Sequence, residues 1–303
     1  MAVKPTGMRC SVIIATLDRA ASLQVVVGCL RRQTRPPDEV IVSVSGDVAD
    51  VTSALQGLTL PFPLQILPSA VKSSAQQRNA GAALATGEVL AFMDDDIEFA
   101  PDLLANVLSY FDKLSPARLG GLSARLAGED RPAPGRLTRL YYAIQSGYIH
   151  ADYGGRLFGF GLNCYPVFPV GAPELLASEW LPSTCLFLRA DLFRTQLFPS
   201  FSGYSYAEDV HLTARIGRTA PLFFTTKCLV VHHSLPSEFK RDPADLIAGK
   251  LHNMRVVARD VLGRRGWALW WRGLLHRVFM SVVTLRSATE KSAQLRGIWR
   301  ADP

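Results

Sequence analysis

The sequence predicts an α/β protein: a Rossmann-like α/β/α sandwich with a mostly parallel sheet, followed by a helical C-terminal extension. Three observations carry this expectation. Uninterrupted apolar runs at 10–15 (CSVIIA), 39–44 (EVIVSV) and 89–93 (VLAFM) suit strands covered on both faces. Segments with helical apolar spacing lie between them, so the first 93 residues read strand, helix, strand, strand, helix, strand. The third run drives into Asp94, Asp95 and Asp96, which puts three carboxylates at the end of a strand, where open α/β sheets hold their ligands.

The elements follow in order. The strand at 10–15 passes through Thr16-Leu17-Asp18-Arg19 into a helix with apolar residues at Leu23, Val26, Val27 and Leu30. Arg31, Arg32 and Arg35 near its end suit the negative pole of the helix dipole, and Pro36-Pro37 stop it. The strand at 39–44 ends in a turn at Ser45-Gly46-Asp47, and a short third strand covers 64–67 (LQIL). A helix at 76–85, ended by Thr86-Gly87, delivers the chain to the strand at Val89. There is no GxGxxG for a dinucleotide and no GxxxxGK[ST] for a P-loop.

A chain of 303 residues can bury one large α/β core. Its net charge of +7 is unevenly placed. Up to Lys240 there are 21 Lys+Arg and 21 Asp+Glu; from Arg241 onward there are 12 against 5. A neutral body with a basic tail fits an enzyme that leans on an anionic surface better than a nucleic-acid binder. Cys10, Cys29, Cys164, Cys185 and Cys228 are scattered without CxxC spacing and read as buried free thiols of a reducing compartment. No signal peptide is read at the start, and the longest uncharged run, 51–71, is broken by Gly57, Pro61, Pro63 and Pro68, so it is no membrane span. The expected location is therefore cytoplasmic.

Three adjacent carboxylates repel one another unless a cation compensates them. A divalent metal, Mn²⁺ or Mg²⁺, accepts such oxygen ligands and often a substrate phosphate as well. An isolated DDD would be a solvated acidic turn; its place after a buried strand favours the metal.

These residues carry a resemblance. SVIIATLDR with Gln33, then EVIV, then QRNAGAALATGEVLAFMDDDIEF with Pro101, resembles the inverting family 2 glycosyltransferases of the GT-A fold. It covers about the first 110 residues and resumes near Trp180. The resemblance implies a domain over 1–240, with a nucleotide-sugar half (1–110) and an acceptor half (111–240), and an extension over 241–303. It implies that Ala15, Thr16 and Arg19 line the base and ribose pocket, and that Ser45 stands near the base. Arg78 and Asn79 would face the nucleotide, Asp94 and Asp95 would sit by the ribose, and Asp96, with Asp94, would hold the metal. Where the family usually has acidic residues after the second strand, this chain has Val44 and Ser45, so uridine, deoxythymidine and guanosine donors all remain open.

The stretch 114–173 shows little periodicity and many aromatics, including Tyr141, Tyr153, Phe158 and Phe160, which read as packing ahead of sugar stacking. A strand is expected at 181–189, then a short helix. Glu208-Asp209 before an apolar-spaced helix resembles the family's ED motif. A sugar hydroxyl needs a base, and Asp209 is the expected one, with Glu208 holding a hydroxyl or orienting a neighbour; helix N-terminal acids favoured by the dipole are the alternative. Two short apolar segments, 222–225 and 228–231, lead to His232 and His233, either of which suits a metal or phosphate site as well as a surface pair.

The tail has helical periodicity over 245–262 and again from Trp267, with Trp270, Trp271, Leu274, Val278 and Val282 on one stripe and Arg272, Arg277 and Arg286 interspersed. A Trp-rich stripe with arginines describes an interfacial helix on an anionic membrane, peripheral on its cytoplasmic face; packing on the domain or a second subunit is the alternative. The resulting expectation is a metal-dependent inverting transferase. It moves a sugar from a nucleotide-diphospho-sugar to a glycan or lipid-linked glycan. A sugar-nucleotide pyrophosphorylase would need a Gly-rich basic loop after the first strand, which ATLDRAAS does not supply. A catalytically silent nucleotide-sugar scaffold is the third reading.

Overall fold

The computed structural model describes residues 7–114, 119–128, 134–201, 206–235, 242–287 and 291–300. The opening residues 1–6 and the stretch 202–205 ahead of Glu208 lie outside them.

The nucleotide half follows the apolar pattern. β1 (Cys10–Leu17) is almost wholly buried, and α1 (Ala20–Arg31) turns Leu23, Val26, Val27 and Leu30 onto it. β2 (Glu39–Ser45) leads to α2 (Val48–Leu55), whose cap Asp47 accepts from the Asp50 N–H, and then to β3 (Leu64–Pro68). α3 (Ser74–Leu84) starts on a Ser73 cap. Gly81 lets α3 lie close to β1, because a Cβ there would come within 2.7 Å of Ile13 Cγ2. β4 (Val89–Asp94) is followed by β5 (Ile97–Phe99) and α4 (Leu103–Lys113). Gln33 ties α1 to α4, donating to the Ala100 carbonyl and accepting from Leu104 N–H.

The second half contributes β6 (Gly121–Leu126), α5 (Arg136–Ser146), the hairpin β7 (Leu157–Phe158) and β8 (Leu162–Asn163), and β9 (Leu175–Ser178). Next come β10 (Cys185–Arg189), α6 (Ala190–Arg194), α7 (Glu208–Ile216) and β11 (Leu222–His232). The main sheet runs β3-β2-β1-β4-β10-β6-β11-β5, with β9 on β11. β1, β2, β3, β4, β6 and β11 point one way and β5, β9 and β10 the other, so the sheet is mostly parallel. One apolar cluster fills the α1/α2/α4 face and a second the α3/α6/α7 face.

Several boundaries differ from the sequence reading. The strand expected at 181–189 begins only at Cys185; Leu181 and Ser183 are held in a loop by Thr213 and Asp209 of α7. The two segments 222–225 and 228–231 form one strand, β11, with a register shift between Thr225 and Leu229. The aromatics Tyr141, Tyr153, Phe158 and Phe160 are buried, as packing requires. Cys10, Cys29, Cys185 and Cys228 are buried free thiols.

The extension folds back on the domain as α8 (Pro243–Asp260), α9 (Gly266–Ser287) and α10 (Lys291–Arg300). Val257 and Val261 of the α8 segment pack with Ala207, Val210 and Ala214. α9 crosses Phe160 at Gly273, where a Cβ would meet the ring at 2.8 Å. His276, Arg277 and Thr284 are buried on its inner side, while Trp267, Trp270, Trp271 and Val278 are exposed, so the tryptophan stripe is turned away from the domain and does not pack on it. Two of its arginines turn to carbonyls, Arg277 donating to Ile298 O and Arg272 to Gln145 O, while Arg286 is exposed. No helix among the described residues is long and apolar enough to cross a membrane.

Candidate active site

The carboxyl ends of β1 and β4, the start of α3, the N-terminus of α7 and the end of β11 converge. Asp94 closes β4 and the chain turns immediately, so the three aspartates diverge. Asp94 accepts from Arg78 Nη2 at 2.7 Å. Asp95 turns inward, accepting from Thr16 Oγ1 at 2.6 Å and Arg19 Nη1 at 3.0 Å. Burial raises its carboxyl above the usual range against the pull of those two partners. Asp96 meets His232 Nε2 at 3.1 Å, Leu235 N–H at 3.0 Å and Arg19 Nη1 at 3.4 Å. Burial works against its ionised form, yet the His232 hydrogen bond and the Leu235 N–H hold it below its ordinary value.

Asp94, Asp96 and His232 each bring one ligand atom within 4.8 Å of the others. Two oxygens and an imidazole fit a borderline-hard divalent ion. The 3.1 Å between Asp96 and His232 fits as well, since ligands bound side by side at about 2.1 Å lie about 3 Å apart. Of the two histidines, His232 faces Asp96, while the imidazole of His233 meets Glu98 at 2.8 Å.

Arg78 is the hinge of the site. Buried against Phe198, it reaches Asp94 with one terminal nitrogen and Glu208 Oε1 with the other, at 3.3 Å, joining the carboxylates of β4 and α7. Glu208 Oε2 and Arg78 Nε are buried without a hydrogen-bond partner among the described residues. Burial, and then the charge of Asp209, pushes Glu208 up to about 8 while Arg78 pulls the other way. Asp209 is also raised by burial, against hydrogen bonds to its carboxylate from the Val210 and Ser183 N–H groups. The pair is aimed by its neighbours. Ala207 caps α7 in the left-handed region (φ 66°), Thr213 ties the helix to Leu181, and Asn253 of α8 donates to the Tyr206 carbonyl at 3.0 Å.

Of the residues expected at the nucleotide, Thr16, Arg19, Arg78, Asp94 and Asp95 come together, with Ala15 opposite Asp94 in the β1/β4 register. Two others are engaged elsewhere. Ser45 is buried and donates to Val71 O, because the 69–71 segment crosses over the end of β2. Asn79 spends both ends of its amide on the Phe198 backbone, fixing the loop that packs on Arg78. The sequence reading missed Gln77, whose amide bridges the carbonyls of Thr16 and Ser43, and Asn253, a polar residue in an ordinary helical pattern. Neither sits in a pattern that distinguishes it from surface polarity.

The fold and this carboxylate-lined edge define a GT-A fold protein. Residues 11–159 match the family described as Glycosyl transferase family 2, and the chain carries a domain of that family. A segment of 115 residues is 32% identical to validoxylamine A glucosyltransferase of Streptomyces hygroscopicus subsp. limoneus, covering 36% of this chain and 25% of that protein. The chain thus spans about a quarter of that relative's length. Among solved structures, S. aureus TarS 1-349 in complex with UDP-GlcNAc is similar at TM-score 0.57 and 16% identity, covering 95% of this chain and 78% of that one. The mannosyltransferase PcManGT from Pyrobaculum calidifontis, in complex with GDP-Man and Mn²⁺, is similar at TM-score 0.56 and 17% identity, covering 98% and 89%.

Proposed function

We propose that this protein is an inverting glycosyltransferase that moves a sugar from a nucleotide-diphospho-sugar to a hydroxyl of a glycan or lipid-linked glycan. The observation that carries this reading is the Arg78 bridge between Asp94 and Glu208, which joins a donor edge to an acceptor edge. Thr16, Arg19 and Asp95 then form the wall on which the nucleoside rests, and Arg78 meets the diphosphate. Asp209 takes the acceptor proton as the acceptor oxygen attacks the anomeric carbon from the face opposite the leaving diphosphate. Positioning and fixed charge supply the rate. Asp94, Asp96 and His232 would hold Mn²⁺ or Mg²⁺, which supplies Lewis-acid charge stabilisation to the departing diphosphate. The acceptor belongs to a bacterial surface glycan, reached at the cytoplasmic face of an anionic membrane through the 241–303 extension.

A second assignment of the base has its own support: Glu208 has a buried oxygen with no hydrogen-bond partner among the described residues and a carboxyl pushed up to about 8. One set of variants separates the two. A thermal-shift screen of nucleoside diphosphates with Mn²⁺ and Mg²⁺ identifies the base and the ion, and donor turnover is then compared. Asp209→Asn is expected to keep nucleotide binding and lose about 10²–10⁴-fold in transfer. Near wild-type transfer by Asp209→Asn, with Glu208→Gln inactive, moves the proton to Glu208. Absence of binding by every nucleoside diphosphate ends the transferase reading.

A further inference from the structure

α5 and α9 lie side by side and antiparallel. Tyr141 stacks on Phe279 with ring centroids 3.8 Å apart and its hydroxyl shares a hydrogen bond with His276 Nδ1 at 2.5 Å, while Gln145 Nε2 donates to the Arg272 carbonyl at 2.9 Å. The lower side of each helix is fixed by what it covers. On α5, Tyr142 packs against Tyr153 and Phe158; on α9, Gly273 rests on Phe160.

Helical geometry then places the opposite faces. Residues advance about 100° each, so Leu140 and Ile144, two positions either side of Tyr142, are turned about 200° from it. Trp271 is turned by a similar amount from Gly273, and Val282, nine positions on, by about 180°. The apolar residues of both helices therefore point to the same side, away from the domain. They are well exposed there: Leu137 69%, Leu140 58%, Trp267 72% and Leu285 56%. A shallow depression of about 610 Å³ lined by Ala143, Ile144, Gly147, Tyr148 and Ile149 extends this surface past the end of α5. Large apolar side chains gathered on one exposed side mark an interaction surface.

The charge around the patch decides which partner. Exposed cations flank it, Arg136 and Arg139 on α5, Arg286 on α9 and Lys291 and Arg296 on α10, with no Asp or Glu in any of the three helices. A second copy docking through the same face would oppose these cations to their own kind. An anionic lipid surface complements them, with tryptophans and aliphatic side chains entering the headgroup boundary.

We propose that α5 and α9 together form one bilayer-docking face, so that part of the acceptor half, and not the tail alone, lies on the membrane. This rests on the membrane reading of the extension given above and adds a second helix to it. A chain of contacts runs from this face through α9 and α8 to the acid pair. Leu269 of α9 packs with Met254 and Ala258 of α8, whose Asn253 holds Tyr206, two residues before Glu208.

The test is flotation of the full chain with vesicles of phosphatidylcholine plus phosphatidylglycerol, against phosphatidylcholine alone. Three proteins are compared: wild type, the α5 variant Leu137→Ser/Leu140→Ser/Ile144→Ser, and the α9 variant Trp267→Ser/Trp271→Ser. All substituted side chains are exposed, and matching thermal melts verify the fold. Wild type is expected to float only with anionic vesicles, and each variant to lose at least about tenfold in partitioning. An α5 variant that floats like wild type while the α9 variant falls overturns the two-helix face and leaves the tail reading standing. Wild type that fails to float, or a dimer in light scattering that the α5 variant abolishes without any vesicle binding, overturns both.

Discussion

Glu208→Gln tests the electrostatics of the site most directly. In the folded protein, burial and the Asp209 charge push the Glu208 carboxyl from its ordinary 4.5 to about 8. Between those values the folded state holds a proton that the unfolded chain has released, so wild-type stability falls as pH rises across the window. The slope is about 1.4 kcal/mol per pH unit, which amounts to roughly 3 kcal/mol by pH 7. Glutamine mimics the protonated form, keeps the shape and leaves Arg78 its pairing with Asp94 at 2.7 Å. The variant should therefore match wild type near pH 4.5 and exceed it by a few kcal/mol at pH 7, as measured by urea unfolding across the pH range. A variant no more stable than wild type at pH 7 would mean that the ionised Glu208–Arg78 pair outweighs its desolvation, and the reasoning fails. A stabilising substitution at a site expected to cost activity is the usual signature of a strained functional group.

Other outcomes follow from the same geometry. Asp96→Ala and His232→Ala should each weaken the Mn²⁺-dependent part of nucleoside diphosphate binding by about tenfold or more, and His233→Ala should not; calorimetric titration with unchanged metal dependence in all three would remove the triad from metal binding. Asn253→Ala leaves the buried Tyr206 carbonyl without its donor, a cost of about 1–3 kcal/mol. Its turnover should drop more than its nucleotide affinity, whereas an equal fall in both would deny it a role in aiming the acid pair. Burial, with Arg277 nearby, lowers His276 from 6.5 to about 4. Its stabilising contribution is thus complete above 6.5 and is lost as pH falls toward 4, about 3 kcal/mol in all. Tryptophan fluorescence should report looser packing of α9 on α5 through that window in wild type and not in His276→Phe; coincident curves would count against it.

Much of the nucleotide half was legible because buried parallel strands write their own signature: β1, β2 and β4 are apolar runs of the right length, and β4 ends where its polarity changes. Glu208-Asp209 was legible as acids opening an apolar-spaced helix. What could not be read depends on tertiary partners. β6 contains a serine and an arginine and reads as nothing in particular, yet it is a core strand between β10 and β11. α5 alternates arginine and leucine and looks like an unremarkable amphipathic segment. Its leucines face outward only because Tyr141 and Gln145 take the inner side. The burial of His276 and Arg277 on α9 has the same origin, since a stripe of tryptophans does not say which polar residues the domain will cover. His232 and His233 are adjacent in sequence and were inseparable until strand alternation sent one to Asp96 and the other to Glu98.

The reversed direction of β10 has a consequence for how distances in the site are set. Parallel strands offer a cleft only the loops that leave them. β10 runs the other way, so the loop that enters it reaches the same edge. Two adjacent residues of that loop grip opposite walls: the Thr184 carbonyl accepts from Asp94 N–H at 3.0 Å, and Ser183 N–H donates to Asp209 at 3.1 Å. The dipeptide Ser183-Thr184, its two Cα atoms about 3.8 Å apart, thus acts as a spacer between the two carboxylate walls, gripping one with its leading N–H and the other with its trailing carbonyl.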